Sequence, residues 1–268
     1  MRISDRDDGL TRRMPAHFRQ WPPSGLGVCP YDDCTTLEIS YTTEEEMLRQ
    51  YVPEEFGITR PVLMVMYEKC CGVRWMGGSQ YSLITVSVPV QYVAGKEPID
   101  GVYHLVLWED KCEPILGGRE EAGMPKIFAD IPEYRQNGNC FSVNAAHEGR
   151  TFFEMDLVLG RKYSSAELAG INAGNGRVVQ FGWRYIPKVG PYPGPALSEA
   201  TYYPVDNAYT SASACSGSIQ WTVPELHQHP TQHSIIAALA SLPVREYLPG
   251  SFRKGSSMMR MDLARALP

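Results

Sequence analysis

The segment Gly117–Ala129, GGREEAGMPKIFA, contains the residues best suited to carry chemistry. Lys126 follows a Gly-Met-Pro turn signal and precedes the apolar run Ile127–Ala129, which we expect to enter the core. At that boundary an ammonium group loses solvation, and burial favours the neutral amine. A neutral lysine amine can attack a carbonyl carbon and form an imine. The segment therefore predicts a nucleophilic lysine, although a surface lysine that simply follows a turn has the same local pattern.

Three charged residues precede Lys126 in this segment. Arg119 and Glu120 are candidates for substrate binding, but the interpretation we favour for them is a structural ion pair that braces the turn. Glu121 is a candidate general acid or base within reach of an imine, and a solvated loop carboxylate is the competing interpretation. The covalent mechanism needs a lysine amine that apolar neighbours surround and that no carboxylate holds tightly.

Strand-like segments dominate the chain around this motif. Apolar and β-branched residues alternate or run together in short stretches, and turns rich in Gly and Asn separate them. Many strands and few helices predict an α+β, mainly β fold, with helices to one side of a barrel or sandwich. The predicted strands are 35–41, 61–67, 81–93, 102–108, 141–146, 152–159, 178–186, 198–203 and 218–223.

Helix is predicted in three places only. Thr43 and Glu46 have the spacing of a capping box, so a short helix is expected from there to about Tyr51. One or two helical turns are expected at 165–169. The best helical stretch is 231–242, with Thr231 as its N-cap and Pro243 as its end.

Composition restricts the classes of partner. The 268 residues include 25 basic and 30 acidic ones, and they show no clustered basic face of the kind that nucleic-acid binding needs. No stretch approaches the roughly 20 apolar residues of a membrane helix. The charged N-terminus also lacks the apolar run of a secretion signal. We therefore expect a cytoplasmic protein that binds neither nucleic acid nor membrane.

Residue types that bind metals occur, but their spacing is not that of a zinc site. The seven cysteines are odd in number and match no zinc pattern, so we expect free thiols that pack as small apolar residues. His227, His229 and His233 form an H-x-H-x3-H cluster that crosses a proline and has no obvious fourth ligand. Packing at the entrance to a helix is the favoured interpretation, and no metal is predicted.

The motif around Lys126 resembles the acetoacetate decarboxylase superfamily. Gly118, Arg119, Glu120, Pro125 and Lys126 fall on that family's G-R-E-x-x-x-x-P-K signature, in which the final lysine forms the Schiff base. The resemblance extends over about residues 14–265, so 31–268 is expected to form one such domain behind an irregular N-terminal arm at 1–30. Other stretches similar to the family are 37–54, 81–89, 186–187 and 241–246.

The resemblance implies both a fold and a reaction. The fold is a β-cone or small closed barrel with a few peripheral helices, which holds the lysine in an apolar cavity, usually within a homo-oligomer. In the family's decarboxylases the lysine condenses with a β-keto acid, and the iminium accepts electrons while carbon dioxide leaves. No organic cofactor is implied, because the iminium itself is the electron sink.

This sequence departs from the decarboxylases at three polar positions. Their second lysine, which activates the first, is replaced by Ile127. Their arginine falls at Cys34 and their glutamate at Leu83, with Gln80 and Tyr81 as the nearby polar residues that can substitute. The apolar residues expected to line the cavity instead imply a larger, less charged substrate than acetoacetate. These residues are Met64, Met66, Leu83, Met124 and Ile127.

The resulting hypothesis is a Schiff-base-forming lyase that acts on a keto acid or a related carbonyl compound. Lys126, Glu121 and Tyr81 are its predicted catalytic residues. The step after imine formation stays open between aldol condensation with dehydration and decarboxylation, in secondary metabolism rather than as a true acetoacetate decarboxylase. Two alternatives remain: a non-covalent isomerase or cyclase of a natural-product pathway, and a non-catalytic protein that binds a small molecule.

Overall fold

The computed structural model describes residues 14–15 and 27–268. Most of the expected arm at 1–30 lies outside the described residues, and Cys29 and Pro30 already belong to the first strand. Strands make up most of the described chain, in keeping with the predicted mainly β fold. They are β1 Cys29–Thr42, β2 Phe56–Ile58, β3 Val62–Val73, β4 Ser79–Tyr92, β5 Ile99–Glu109, β6 Lys126–Phe128, β7 Arg135–Asn137, β8 Cys140–His147, β9 Arg150–Lys162, β10 Arg177–Pro187, β11 Pro195–Trp221, β12 Glu246–Tyr247, β13 Gly250–Met259 and β14 Arg265–Ala266.

All predicted strands overlap observed ones, with two notable differences. The segments predicted at 198–203 and 218–223 are parts of one 27-residue strand, β11. Strand β13 was not predicted, because its sequence GSFRKGSSMM has little apolar alternation.

The helices are few and short: α1 Glu45–Arg49, α2 Cys112–Ala122, α3 Ser165–Asn175 and α4 His233–Ser241. The predicted capping box at Thr43 is wrong, because the N-cap of α1 is Glu44 and makes no side-chain cap. Thr231 is not the N-cap of α4 either, since Gln232 occupies that position. No helix in the described part of the chain has the length and apolar character that crossing a lipid bilayer requires.

Helix α2 was not expected, because Pro114 and the Gly117–Gly118 pair made its segment look like a loop. It ends at Gly123, whose φ of 67° lies in the left-handed region that glycine adopts without strain. The motif containing Lys126 is therefore the second half of a helix followed by a tight reversal into β6.

Seven strands close into a ring. Their order is β10, β5, β4, β3, β1, β13 and β11, and β11 pairs back onto β10 over 177–187 and 195–206. The far half of β11 leaves the ring and pairs with β9, which continues the sheet through β8 to β7. The predicted closed, barrel-like sheet with peripheral helices is confirmed.

The ring strands have two different faces because side chains alternate along a strand. One face joins the main hydrophobic core, where Tyr67, Ile84 and Trp108 are fully buried. The other face, with Glu68, Leu83 and Glu109 on the same three strands, lines a cavity inside the ring.

Candidate active site

The cavity inside the ring has a mostly apolar wall. All seven ring strands contribute to it, and α2 and β6 close one side. The contributions from the strands include Tyr31, Met66, Leu83, His104, Gln180, Tyr203 and Met259. Such an enclosed, apolar site with a few polar groups suits a small organic molecule.

Lys126 lies in this cavity and is paired with a carboxylate. Its side chain is buried, and its Nζ lies 2.7 Å from Oε1 of Glu109. The same ammonium donates a hydrogen bond to the carbonyl oxygen of Pro114 at 3.2 Å. The expectation of burial is met, but the expectation of an amine with only apolar neighbours is wrong.

Glu109 is the polar partner that the sequence analysis missed. Only 1% of its side chain is exposed, and Oε2 has no hydrogen-bond partner among the described residues. Burial raises the pKa of the Glu109 carboxyl, although the charge of Lys126 opposes this. Glu109 is therefore a carboxylate with a strengthened tendency to accept a proton.

Helix α2 can lie close to the Lys126 side chain because it has a glycine, Gly118, at the point of contact. A Cβ at Gly118 would lie 2.4 Å from Cδ and 2.9 Å from Nζ of Lys126. The glycine of the family signature is thus needed here for the close approach of the helix to the Lys126 side chain.

The other motif residues have different surroundings. Arg119 is exposed and outside the cavity, and it donates to the backbone oxygen of Lys126 at 2.9 Å. It therefore braces β6 through the backbone rather than through the expected ion pair with Glu120, which also lies outside the cavity lining. Glu121, the third of these residues, does line the cavity, as does Met124.

Leu83 lies between two acidic residues on the cavity wall. It pairs in register with Glu68 on β3 and with Glu109 on β5. Directly paired residues of adjacent antiparallel strands lie about 4.5–5.5 Å apart. The position at which the sequence analysis expects the family's glutamate is thus flanked by carboxylates from both neighbouring strands.

Three residues expected near the substrate lie elsewhere. Gln80 is exposed near the start of β4 and accepts a hydrogen bond from Cys71, so it cannot line the cavity as predicted. Met64 also lies outside the lining, whereas Met66, two residues further along β3, is part of it. Ile127 packs against the main core because its side chain points to the face opposite that of Lys126.

Tyr81 lies in the cavity wall within a chain of hydrogen bonds. Its hydroxyl donates to the Tyr31 hydroxyl at 3.2 Å, and Trp75 Nε1 donates to the same oxygen at 3.3 Å. Tyr31 in turn donates to the sulfur of Met259 at 3.1 Å. Burial raises the pKa of Tyr81 well above its ordinary value, so this residue keeps its proton.

His104 is a second cavity residue that the sequence analysis missed. Its Nδ1 lies 2.8 Å from Oγ of Ser87, while its buried Nε2 has no hydrogen-bond partner among the described residues. Burial lowers the pKa of His104 to about 4, against an opposing contribution from Gln180. A neutral imidazole therefore borders the cavity at neutral pH.

The histidine cluster of the sequence does not form a metal site. His229 is buried and stacks on His147 with ring centroids 4.0 Å apart, and His233 Nδ1 lies 2.8 Å from the carbonyl oxygen of Pro224. Packing at the entrance to α4 is what the structure shows. The one potential ligand group among the described residues is elsewhere, at Cys34, Glu68 and Cys70.

The sequence is similar to a known family model and to named enzymes. The family model described as acetoacetate decarboxylase (ADC) matches residues 13–264. Acetoacetate decarboxylases of Burkholderia cenocepacia (strain HI2424) and Burkholderia multivorans are each 34% identical over 108 residues. These alignments span 40% of this chain and 42% of each relative, which is less than half of either protein.

Three solved structures share the fold. Acetoacetate decarboxylase of Legionella pneumophila has a TM-score of 0.74 at 17% identity, covering 90% of this chain and 88% of its own. An acetoacetate decarboxylase-like enzyme from Sphingomonas wittichii RW1 has a TM-score of 0.68 at 17% identity, with 90% and 93% covered. The enduracididine biosynthesis enzyme MppR, complexed with pyruvate, has a TM-score of 0.65 at 14% identity, with 90% of each chain covered. Because the family model matches nearly the whole chain, this protein belongs to the acetoacetate decarboxylase family.

Proposed function

We propose that this protein is a lysine-dependent lyase in which Lys126 forms a Schiff base with a keto acid. The observation that carries the proposal is the buried Lys126 amine, set against Glu109 in the wall of a largely apolar cavity. A lysine placed there serves no evident scaffold contact beyond Glu109 and Pro114. It is also the residue that falls on the family's Schiff-base position.

We drop the expectation that no carboxylate holds Lys126, because Glu109 can itself give the lysine a route to the neutral amine. Burial raises the pKa of the Glu109 carboxyl, which makes it a better proton acceptor. The Lys126 ammonium transfers one proton to the Glu109 carboxylate, which leaves an amine and a carboxylic acid. The amine attacks the substrate carbonyl carbon, and the resulting carbinolamine loses water to give the iminium. Glu109 can return its proton to the departing hydroxyl, so that it acts first as a base and then as an acid.

The remaining polar groups can hold the substrate. The Tyr81 hydroxyl donates its proton to Tyr31 and has lone pairs that can accept a hydrogen bond from the substrate, and neutral His104 borders the cavity beside Gln180. Glu121 remains a candidate acid or base for a later step because it lines the cavity. Met66, Leu83 and Met124 supply the apolar contacts.

Acetoacetate is not the substrate that we propose. Leu83 and Cys34 stand where the decarboxylases have charged residues, and Ile127 cannot act as their second lysine because it faces the core. The fold relative MppR binds pyruvate, and another of its structures contains the condensation product of pyruvate and imidazole 4-carboxaldehyde. These facts support a pyruvate-like keto acid, with aldol condensation and dehydration favoured over decarboxylation, in a natural-product pathway.

Reductive trapping tests the proposal. Incubation with pyruvate and borohydride should add the reduced substrate to Lys126, as identified by peptide mass spectrometry, and Lys126→Ala should remove the adduct while the circular dichroism spectrum is retained. Glu109→Gln should slow trapping by about a hundredfold, in the range of general acid–base effects. Lys162→Ala, which changes an exposed lysine on β9, is the control and should trap normally. Failure to trap pyruvate, acetoacetate or longer 2-keto acids would reject the covalent mechanism.

The ion pair is compatible with both alternatives that need no covalent bond. A charged Lys126–Glu109 pair can bind and polarise a ligand without a covalent bond, as in an isomerase, a cyclase or a binding protein. Ligand affinity that Lys126→Ala leaves unchanged, together with no borohydride adduct, would support a binder. Turnover without an adduct would support a non-covalent enzyme.

A homo-oligomer in the cytoplasm remains our expectation for assembly and location. Light scattering of the purified chain and fractionation of the producing cells measure these two properties directly.

A further inference from the structure

A second cluster of reactive side chains lies in the barrel wall apart from Lys126. Cys34 on β1 pairs in register with Cys70 on β3, and Glu68 precedes Cys70 by two residues, which places both on one face of β3. The two sulfurs and a carboxylate oxygen all lie within 4.8 Å of one another. Cys34 and Cys70 are buried and are not joined in a disulfide.

We propose that Cys34, Glu68 and Cys70 form a zinc site in the wall of the cavity. Two thiolates and one carboxylate are ligands that Zn²⁺ takes in proteins, and sulfur ligands select it over Mg²⁺ or Ca²⁺. Two sulfurs bound to one zinc ion at about 2.3 Å are about 3.8 Å apart at the tetrahedral angle. The three ligand atoms lie within 4.8 Å of one another, which is compatible with that spacing. Binding would release the two thiol protons to solvent.

The three ligands leave one position of a tetrahedral ion open. Glu68 and Cys70 both line the cavity, so an ion held here would border the space that a ligand occupies. Three protein ligands with a fourth, open position are typical of catalytic rather than structural zinc. The class of ligand that this position fits is a carboxylate or carbonyl oxygen of the molecule in the cavity.

The surrounding charges are compatible with an ion at this position. Arg253 is the cation that acts on Glu68, but its guanidinium is already paired with Glu38. Two thiolates and a carboxylate carry three negative charges, which exceed the charge of the ion by one. Because Glu38 already balances the charge of Arg253, this guanidinium leaves that excess unchanged and does not prevent the ion from binding.

This site also explains a substitution noted in the sequence. Cys34 is expected at the position of the family's arginine, and a zinc ion beside it would offer an open coordination position for a substrate carboxylate in place of that arginine. That role in holding a substrate carboxylate rests on the proposed function, whereas ion binding does not. Zinc binding can be measured without any substrate, so the two ideas fail separately.

Metal content of the whole chain tests the site. Protein reduced with a phosphine, loaded with Zn²⁺ and dialysed against metal-free buffer should retain one zinc ion per chain in native mass spectrometry. The Co²⁺ form should show a thiolate charge-transfer band in the near ultraviolet. Cys34→Ser, Cys70→Ser and Glu68→Gln should each weaken zinc binding by about tenfold or more. Lys126→Ala should retain the ion, which separates this result from the lysine chemistry.

Two other cysteines of the chain provide matched controls. Cys71→Ser changes the residue next to Cys70, and the thiol of Cys71 donates to Gln80 outside the cavity. Cys215→Ser changes a buried thiol on β11. Both should bind zinc as the unaltered protein does. No zinc in the unaltered protein, or an equal loss in Cys71→Ser and Cys70→Ser, would overturn the proposal.

A measurement on the unaltered protein covers the case in which the cysteine variants do not fold. Bound Zn²⁺ should protect Cys34 and Cys70 from alkylation under mild denaturation, while exposed Cys112 and Cys140 react at the same rate with and without the ion. Equal alkylation of Cys34 and Cys70 in the presence and absence of zinc would also overturn the proposal.

Discussion

Two neighbouring residues on β5 lie in contrasting environments. Trp108 points into the main core, where its Nε1 donates to Gln232 Oε1 at 2.7 Å and its ring centroid lies 5.2 Å from that of Phe152. Glu109 points into the ring cavity and keeps one oxygen without a hydrogen-bond partner among the described residues. Because side chains alternate along β5, Trp108 packs in the main core while Glu109 borders the cavity. Stability and reactivity should therefore respond to different substitutions only one residue apart.

The largest effect is expected on the core side. Trp108→Ala removes a fully buried indole and leaves Gln232 without its donor, so the free energy of unfolding should fall by about 3–5 kcal/mol. Urea denaturation measures this change. Trp183→Ala, at a half-buried indole on β10, should cost clearly less. An equal or larger cost at Trp183 would show that complete burial of the Trp108 indole is not what sets the cost.

Gly118→Ala should act on the cavity side, through Lys126, and not on the main core. The new methyl group would displace the Lys126 side chain and break its pair with Glu109, while alanine itself favours the helix. Borohydride trapping with pyruvate should slow by about a hundredfold, equivalent to nearly 3 kcal/mol. Gly170→Ala in α3, where a Cβ meets nothing within 4 Å, should trap normally. Unchanged trapping in Gly118→Ala would show that the packing of α2 does not position the lysine.

His104 predicts a smaller, pH-dependent effect. Its pKa falls from 6.5 to about 4 on folding, so the neutral imidazole stabilises the fold above pH 6.5. That stabilisation is lost as the pH falls toward 4, and the loss amounts to about 2–3 kcal/mol. Denaturation curves across this range should show a steeper decline for the unaltered protein than for His104→Asn. His227→Asn, at an exposed histidine, should follow the unaltered protein, and identical slopes for all three would count against burial of His104 as the cause.

The sequence predicted the parts of this fold that depend on local pattern. Strands such as β4 and β5 alternate or run apolar over many residues, so their positions were correct to within a few residues. The turn before Lys126 placed the lysine at the edge of the interior, where the structure has it. Leu83 and Met124 were expected beside the cavity and do line it.

The predictions that were wrong or missing concern contacts between residues that lie far apart in the sequence. Glu109 reaches Lys126 only because β6 lies parallel to β5, with Leu107 opposite Lys126. Met64 and Met66 share one face of β3, and only the way the ring closes places one in the cavity and leaves the other out. An acidic residue directly after the buried Trp108 was the available signal for Glu109. Helix α2 was missed because the Gly117–Gly118 pair resembles a loop, although Gly118 is the residue that leaves space for the Lys126 side chain.

The 27-residue strand β11 has a consequence for cooperativity. Its first half closes the ring against β10, and its second half carries β9 and the strands beyond it. A single uninterrupted backbone therefore belongs to both parts of the sheet, and its middle pairs with β13. Fraying of the outer strands would disturb the same strand that seals the barrel. The two parts of the sheet therefore share one continuous strand, and we expect the cavity wall and the outer strands to unfold together.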